Sequence, residues 1–376
     1  MEEDLYRRLQ QHLDRLPVPF PATESGVEIR LLRQLFSEEE AELALCLSAL
    51  PETAEVIRRR LRKRSRTLAE VEELLGRMMR KGLIMGRESK RSRHFRYSRM
   101  PLAIGMFEGQ VDRVSPGFAA DFYEYEEGEF GAAMRGMESQ QMRTIPIDVA
   151  IEPHYQVGHY DRVREIIRRS PGPFAVMNCI CRQSKELLGQ SCPNTNIRET
   201  CLMIEGGVTF ARHLGVGREV SREEMLKLLT QAKKAGLVLQ PENSQKPNFI
   251  CCCCGCCCAV MRIAKRHPRP AEFMHANFLA EVETGRCDAC ETCMDRCQID
   301  AISRVNGHVQ VAADRCIGCG LCVPTCPNKA MHLVKRDREW VPPASTMDMY
   351  RRIYLERFGI LGGLRFMGKA ALGLQV

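Results

Sequence analysis

The chain has 376 residues, with 55 Lys and Arg against 47 Asp and Glu, for a formal charge of +8. With 27% charged and 44% hydrophobic residues, global disorder is excluded, and the length predicts two or three domains. No apolar run approaches the ~18 residues of a membrane span, and Met1–Gln10 (MEEDLYRRLQ) lacks the apolar core of a secretory leader. A cytoplasmic protein is therefore expected. There, 20 cysteines stay reduced and point to metal or redox chemistry.

The N-terminal third carries no cysteine cluster and reads as helical. Ser37 and Glu40 form a capping box before a helix over Ala41–Leu50, with Cys46 in its apolar core. Pro51 begins a second helix, to about Leu61. Thr67 caps a third, Leu68–Lys81, with Val71, Leu74, Leu75 and Met78 at helical spacing, and Gly82 ends it. Leu83–Gly86 and His94–Tyr97 flank a polar turn. Three helices and a hairpin resemble a winged helix-turn-helix domain.

Between Arg58 and Arg99 stand 16 Lys and Arg against four acidic residues, a balance that suits DNA phosphates. Yet Glu70, Glu72 and Glu73 occupy the first turns of the would-be recognition helix and oppose a groove. A module that docks a protein partner is the preferred expectation, with DNA as the alternative. Arg113–Gln141, rich in Glu, Tyr and Gly, reads as an irregular connection. His154, His159 and His213 are scattered and read as structural.

In the centre, Pro171–Arg182 (PGPFAVMNCICR) reads as a loop and then a strand ending at Cys179 and Cys181, which would share one face. Cys192 opens a Cys-Pro loop and Cys201 follows. Ser221 and Glu224 cap a helix through Lys234. Then comes CCCCGCCC, residues 251–258. Alternation puts Cys251 and Cys253 on one face and Cys252 and Cys254 on the other, and Gly255 allows a turn before Cys256, Cys257 and Cys258. At least one further iron–sulfur centre is expected among Cys179, Cys181, Cys192, Cys201 and this run, with zinc as the rival and the ligand subset unassigned.

The C-terminal cysteines repeat. Cys287, Cys290, Cys293 and Cys297 are each followed 29 residues later by Cys316, Cys319, Cys322 and Cys326, and Ala301 and Ala330 keep the offset. A tight C-x2-C-x2-C loop supplies three corners of a cubane, and the fourth thiolate must come from elsewhere. This stretch of about 50 residues closely resembles bacterial two-[4Fe–4S] ferredoxin domains. The resemblance implies Cys287, Cys290, Cys293 and Cys326 around one cluster. Cys316, Cys319, Cys322 and Cys297 surround the other. Pro327 matches the usual Pro after the fourth Cys, whereas Gln298 departs from it. Asn306-Gly307 signals a hairpin between the repeats. The segment from Asn178-Cys179-Ile180-Cys181-Arg182 through CCCCGCCC is similar to larger ferredoxin-type proteins of anaerobic bacteria, which implies electron transfer and names no substrate.

Pro342-Pro343 marks a linker to Met349–Val376, where arginines mix with apolar residues. That tail is expected to pack back on the protein, with a membrane surface as the alternative, and Gly359, Gly362 and Gly363 weaken its helix. No dinucleotide fingerprint, P-loop or HExxH is present, so no nucleotide cofactor is expected. The expected fold is an α+β multidomain chain. It comprises a winged-helix-like module (1–110), a central mixed α/β Cys-rich region (111–282), a two-cluster ferredoxin domain (283–335) and a linker with tail (336–376). The expected function is one-electron transfer between a donor and a partner oxidoreductase, more an electron carrier than a stand-alone enzyme. A redox-sensing DNA-binding regulator and a reductase active at the central cysteines are the alternatives. Two oxidised cubanes, each about −2 with its four thiolates, lower the holo charge to roughly +4.

Overall fold

The computed structural model describes residues 4–61, 66–88, 95–151, 155 and 157–376. His94, the tip of the polar turn, His154 and the basic stretch 62–65 lie outside them. The fold is mixed α/β. Contacts divide it into two units, one of residues 1–137, 209–216 and 351–376, the other of 138–208 and 217–350.

The first unit is mostly helical: α1 (Leu5–Leu13), α2 (Val27–Leu35), α3 (Glu38–Ala44), α4 (Ala54–Arg59) and α5 (Leu68–Arg80), then a hairpin of β1 (Ile84–Glu88) and β2 (Phe95–Arg99). The Ser37–Glu40 capping box forms, and Thr67 caps α5 as expected, with Glu70 completing a box there as well. However, α3 stops at Ala44 rather than Leu50. Ser48 and Ala49 are used elsewhere: Ser48 O accepts from Arg99 N (2.9 Å) and Ala49 N donates to Val376 O (2.7 Å). Likewise α4 begins at Ala54, because Glu52 exchanges backbone hydrogen bonds with Tyr97 (3.0 and 2.8 Å). Cys46 is buried, as expected of a core thiol.

The expected irregular connection at Arg113–Gln141 is instead two helices, α6 (Pro116–Glu127) and α7 (Glu129–Arg135). Ser115 Oγ caps Phe118 N at 3.1 Å, and Pro116 occupies the first helical position. Phe118, Phe122, Tyr125 and Phe130 are buried, with Phe122 stacked on Phe107 at 3.5 Å. Aromatics at helical spacing outweigh the local glycines and glutamates.

The second unit contains a five-stranded antiparallel sheet, order β5-β3-β4-β7-β6. Its strands are β3 (Phe174–Asn178), β4 (Glu199–Ile204), β5 (Arg218–Val220), β6 (Val238–Pro241) and β7 (Phe249–Cys253). The accompanying helices are α8 (Val163–Arg169), α9 (Ile180–Leu187), α11 (Arg222–Lys234), α12 (Ala259–Arg266) and α13 (Pro270–Phe273), while α10 (Gly206–Leu214) falls largely in the first unit. The ferredoxin-like part follows. β8 (Phe278–Val282) pairs with β11 (Met331–Lys335), and between them lie α14 (Thr292–Asp295) and the hairpin β9 (Ile302–Val305)–β10 (His308–Val311). Asn306 (φ 47°) and Gly307 (φ 82°) make its turn, as the sequence predicts.

A fully buried ion pair centred on Arg143, whose backbone N donates to Pro241 O of β6, ties this part to the sheet. Arg143 meets Asp161 at 2.5 Å, and Asp161 also accepts from Asn277 Nδ2 at 2.8 Å, just before β8. Such a pair is a matched set: removing one partner strands a buried charge. The last helix, α15 (Thr346–Ala371), breaks at Gly359 (φ 69°). Beyond the break, Gln375 Nε2 donates to Leu45 O (2.7 Å) and Leu47 O (2.9 Å), so the end of the tail packs on the first unit. No helix of the described residues is long and apolar enough to cross a membrane.

Candidate metal centres in the cysteine-rich unit

The internal repeat is legible in the backbone. Left-handed φ values recur at the 29-residue offset: Ala289 (54°), Glu291 (65°) and Asp300 (54°), then Gly318 (64°), Gly320 (72°) and Lys329 (51°). These kinks turn successive thiols inward. The two loops nevertheless differ in their surroundings. A Cβ on Gly318 would lie 2.3 Å from Phe278 O, and one on Gly320 would lie 2.6 Å from Ala150 Cβ. Ile147 N also donates to Cys319 O at 3.0 Å. The second loop is therefore enclosed, and only glycine fits there. Cys290 of the first loop is exposed, and there side chains occupy the same conformation.

The structure brings Cys287, Cys290, Cys293 and Cys326 to the lining of one open pocket, walled also by Val282, Ala330 and Met331. Cys297 comes within electrostatic reach of Cys316, Cys319 and Cys322. Each repeat thus contributes one thiol to the other's set. Ala301 N points at Cys297 Sγ (3.3 Å), Ala330 N at Cys326 Sγ (3.2 Å) and Ala280 N at Cys316 Sγ (3.4 Å). The shared offset of the two alanines reflects this bond. Burial pushes the Cys319 thiol up to about 12 and raises those of Cys316 and Cys322 as well. Buried thiols approached by backbone N–H donors suit thiolates neutralised by bound iron.

The central thiols gather at one end of the five-stranded sheet. β3 stops at Asn178, so Cys179 and Cys181 do not share a strand face. Cys179 instead caps α9 and Cys181 lies in its first turn. The helix brings them into contact all the same. Cys201 and Cys251 are register partners on β4 and β7, with sulfurs 4.0 Å apart. Cys253 touches Cys251 and Cys258, and Cys258 touches Cys181. Hydrogen bonds from Cys181 and Cys253 hold the Cys258 thiol down to about 6.

A separate group forms after β7 ends. The sulfurs of Cys192, Cys254, Cys256 and Cys257 all lie within 4.8 Å of one another. Cys254 therefore leaves the strand alternation that would have placed it with Cys252. Cys252, opposite Leu239, is 2% exposed and packs as core.

Three residues the sequence reading left without a role bind this region together. Gln298 Oε1 accepts from Gly255 N (2.8 Å) and Asn194 Nδ2 (3.1 Å). Arg182, 3% exposed, places Nη1 3.8 Å from Cys254 Sγ and also bonds Thr200. The signal for Gln298 was its departure from the expected Pro. Asn194 gave none. Among the described residues, His159 and His213 join no metal-ligating group of thiols.

Comparison with known proteins agrees with the repeat. Residues 309–332 match a family described as a 4Fe-4S binding domain. The protein YsaA of Escherichia coli strain K12 is 48% identical over 50 residues, 13% of this chain and 32% of YsaA. The electron transport protein HydN of the same strain is 48% identical over 52 residues, 13% of this chain and 30% of HydN. The chain thus spans about a third of the length of these relatives. No solved structure matches. The C-terminal segment of the chain is thus similar to ferredoxin-type 4Fe–4S binding domains.

Proposed function

We propose that the chain passes single low-potential electrons between a donor and a partner oxidoreductase of an anaerobic pathway. Cys287, Cys290, Cys293 and Cys326 would hold one [4Fe–4S] cluster. Cys316, Cys319, Cys322 and Cys297 would hold the second. The observation that carries this reading is the exchange of the fourth thiol between repeats, with Ala301 N and Ala330 N aimed at the two exchanged sulfurs. Such clusters supply one-electron redox chemistry at potentials set by burial and by hydrogen bonds to sulfur. The protein's own contribution is asymmetric. The 145–150 segment shields the second set from water, whereas exposed Cys290 opens the first set to solvent. The partner exchanges electrons at that open edge.

A further iron–sulfur centre would draw on Cys179, Cys181, Cys201, Cys251, Cys253 and Cys258, which form a string of contacts rather than one knot. The N-terminal helical and hairpin module would serve as a protein-docking element. In support, Arg60 pairs with Glu52, Arg66 and Arg77 pair with Glu39, and Lys81 pairs with Glu40, so four of its basic side chains are engaged internally.

Anaerobic purification tests the reading. About eight irons are expected from the two ferredoxin-type clusters, with two interacting reduced-state EPR signals. Fewer than six irons, with zinc filling the repeat, would overturn it.

A further inference from the structure

We propose that Cys192, Cys254, Cys256 and Cys257 bind one tetrahedral transition-metal ion, Zn²⁺ or Fe²⁺, in a tetrathiolate site separate from every cubane. This goes beyond electron transfer through the ferredoxin-type repeat and does not depend on it.

Sulfur spacing decides the nuclearity. Cys192 Sγ lies 3.7 Å from Cys254 Sγ and 3.6 Å from Cys256 Sγ, and Cys256 and Cys257 are 3.6 Å apart. One ion with ~2.3 Å bonds to four sulfurs at tetrahedral corners needs edges of ~3.8 Å. A cubane binds each thiolate to a different iron and spreads them to about 6 Å. The four sulfurs fit around one ion and are too close for a cluster.

The chain is built to keep them there. Three of the ligands come from one turn, Cys254-Gly255-Cys256-Cys257. A Cβ on Gly255 would lie 2.1 Å from Gln298 O, so the turn closes tightly on that residue. Gln298 Oε1 takes the Gly255 N–H, and it also takes the amide of Asn194, two residues after Cys192. One side-chain carbonyl thus fixes both the turn that carries three ligands and the loop that carries the fourth. Asn194 Nδ2 also reaches Cys256 Sγ at 3.6 Å. This is the outer-shell bonding that orients metal ligands.

Charge agrees. A divalent ion with four thiolates carries −2, and binding releases four thiol protons to solvent. Buried Arg182 supplies a positive charge beside Cys254, and its Nε has no hydrogen-bond partner. A buried guanidinium needs a negative neighbour, and the tetrathiolate site provides one. Cys254 and Cys257 are buried while Cys192 and Cys256 are partly open, which leaves a side for the ion to enter.

The test uses the full chain purified anaerobically. Metal analysis should find one ion beyond the cubane iron. If that ion is zinc, its X-ray absorption should show four sulfurs near ~2.3 Å and no metal–metal distance. If it is iron, Mössbauer spectra should show a high-spin ferrous tetrathiolate doublet. Neither measurement needs a variant to fold. Cys192→Ser and Cys256→Ser should each lose that single ion and keep the ferredoxin-type EPR signals. Loss of about four irons and a cubane signal in these variants would overturn the site, as would wild-type protein lacking both zinc and a mononuclear ferrous species. Loss of the ferredoxin signals alone, with the single ion retained, would count against the electron-transfer reading and leave this site standing.

Discussion

The ferredoxin-like repeat and the central cysteine nest hold similar numbers of thiols and use them in opposite ways. In the repeat, left-handed residues recur at a fixed offset, one thiol set lines an open pocket, and each loop borrows its fourth thiol from the other. In the nest, consecutive cysteines at a strand end are drawn together by one turn and by neighbouring elements until four sulfurs lie within 4.8 Å. Spacing in sequence controls the first arrangement and tertiary packing controls the second. Side-chain separation, rather than cysteine count, is what distinguishes a cluster site from a single-ion site.

The largest test of this contrast is ligand removal. Cys319→Ser should lower the iron content by about four atoms and abolish one reduced EPR signal, measured on anaerobically purified protein. Under the single-ion reading, Cys256→Ser should lower total metal by one.

Next comes the asymmetry of the two loops. Gly318→Ala forces a Cβ against Phe278 O in a left-handed conformation and should cost about 2–4 kcal/mol, read as a lower Tm and faster iron loss to a chelator. Ala289→Gly at the equivalent open position should be neutral or stabilise by up to about 1 kcal/mol. Equal effects at both positions would contradict the enclosure of the second loop.

Gln298→Pro restores the residue usual after the fourth cysteine and removes the acceptor for Gly255 and Asn194. Cluster content in the repeat should hold, while metal in the nest should bind about 10–100-fold more weakly in chelator competition.

A pH test concerns the first unit. Burial pushes His12 down to about 3 from its ordinary 6.5. The unfolded chain therefore takes up the proton first. The stabilising contribution is complete above about pH 6.5 and is lost as pH falls from there toward 3, by a few kcal/mol in all. Hydrogen exchange of α1 at pH 7 and pH 4.5 should show this loss, and His12→Gln should flatten it.

Much of the fold was legible locally. The capping box at Ser37, the cap at Thr67, the hairpin at Asn306-Gly307 and the helix opened by Ser221 are short-range chemistry, and they form as the residues predict. Boundaries set by distant partners were not legible. Neither the stop of α3 at Ala44 nor the start of α4 at Ala54 could be read, because Ser48, Ala49 and Glu52 bond residues far along the chain. The α6–α7 pair was hidden because its aromatic spacing had to be weighed against a composition typical of loops.

The sequence by itself determined the repeat: eight cysteines at one offset, the alanines that follow them, and the iron–sulfur character those spacings require. Ligand geometry within such a loop depends on neighbours a few residues away, and a sequence records those directly. Only the tertiary structure decided which central cysteines meet. Cys192 reaches Cys254, Cys256 and Cys257 across about 60 residues of chain. Gln298 fixes that meeting from the ferredoxin-like part, and Arg182 supplies the buried charge beside it. Those contacts arise from sheet register and packing, which no local spacing encodes.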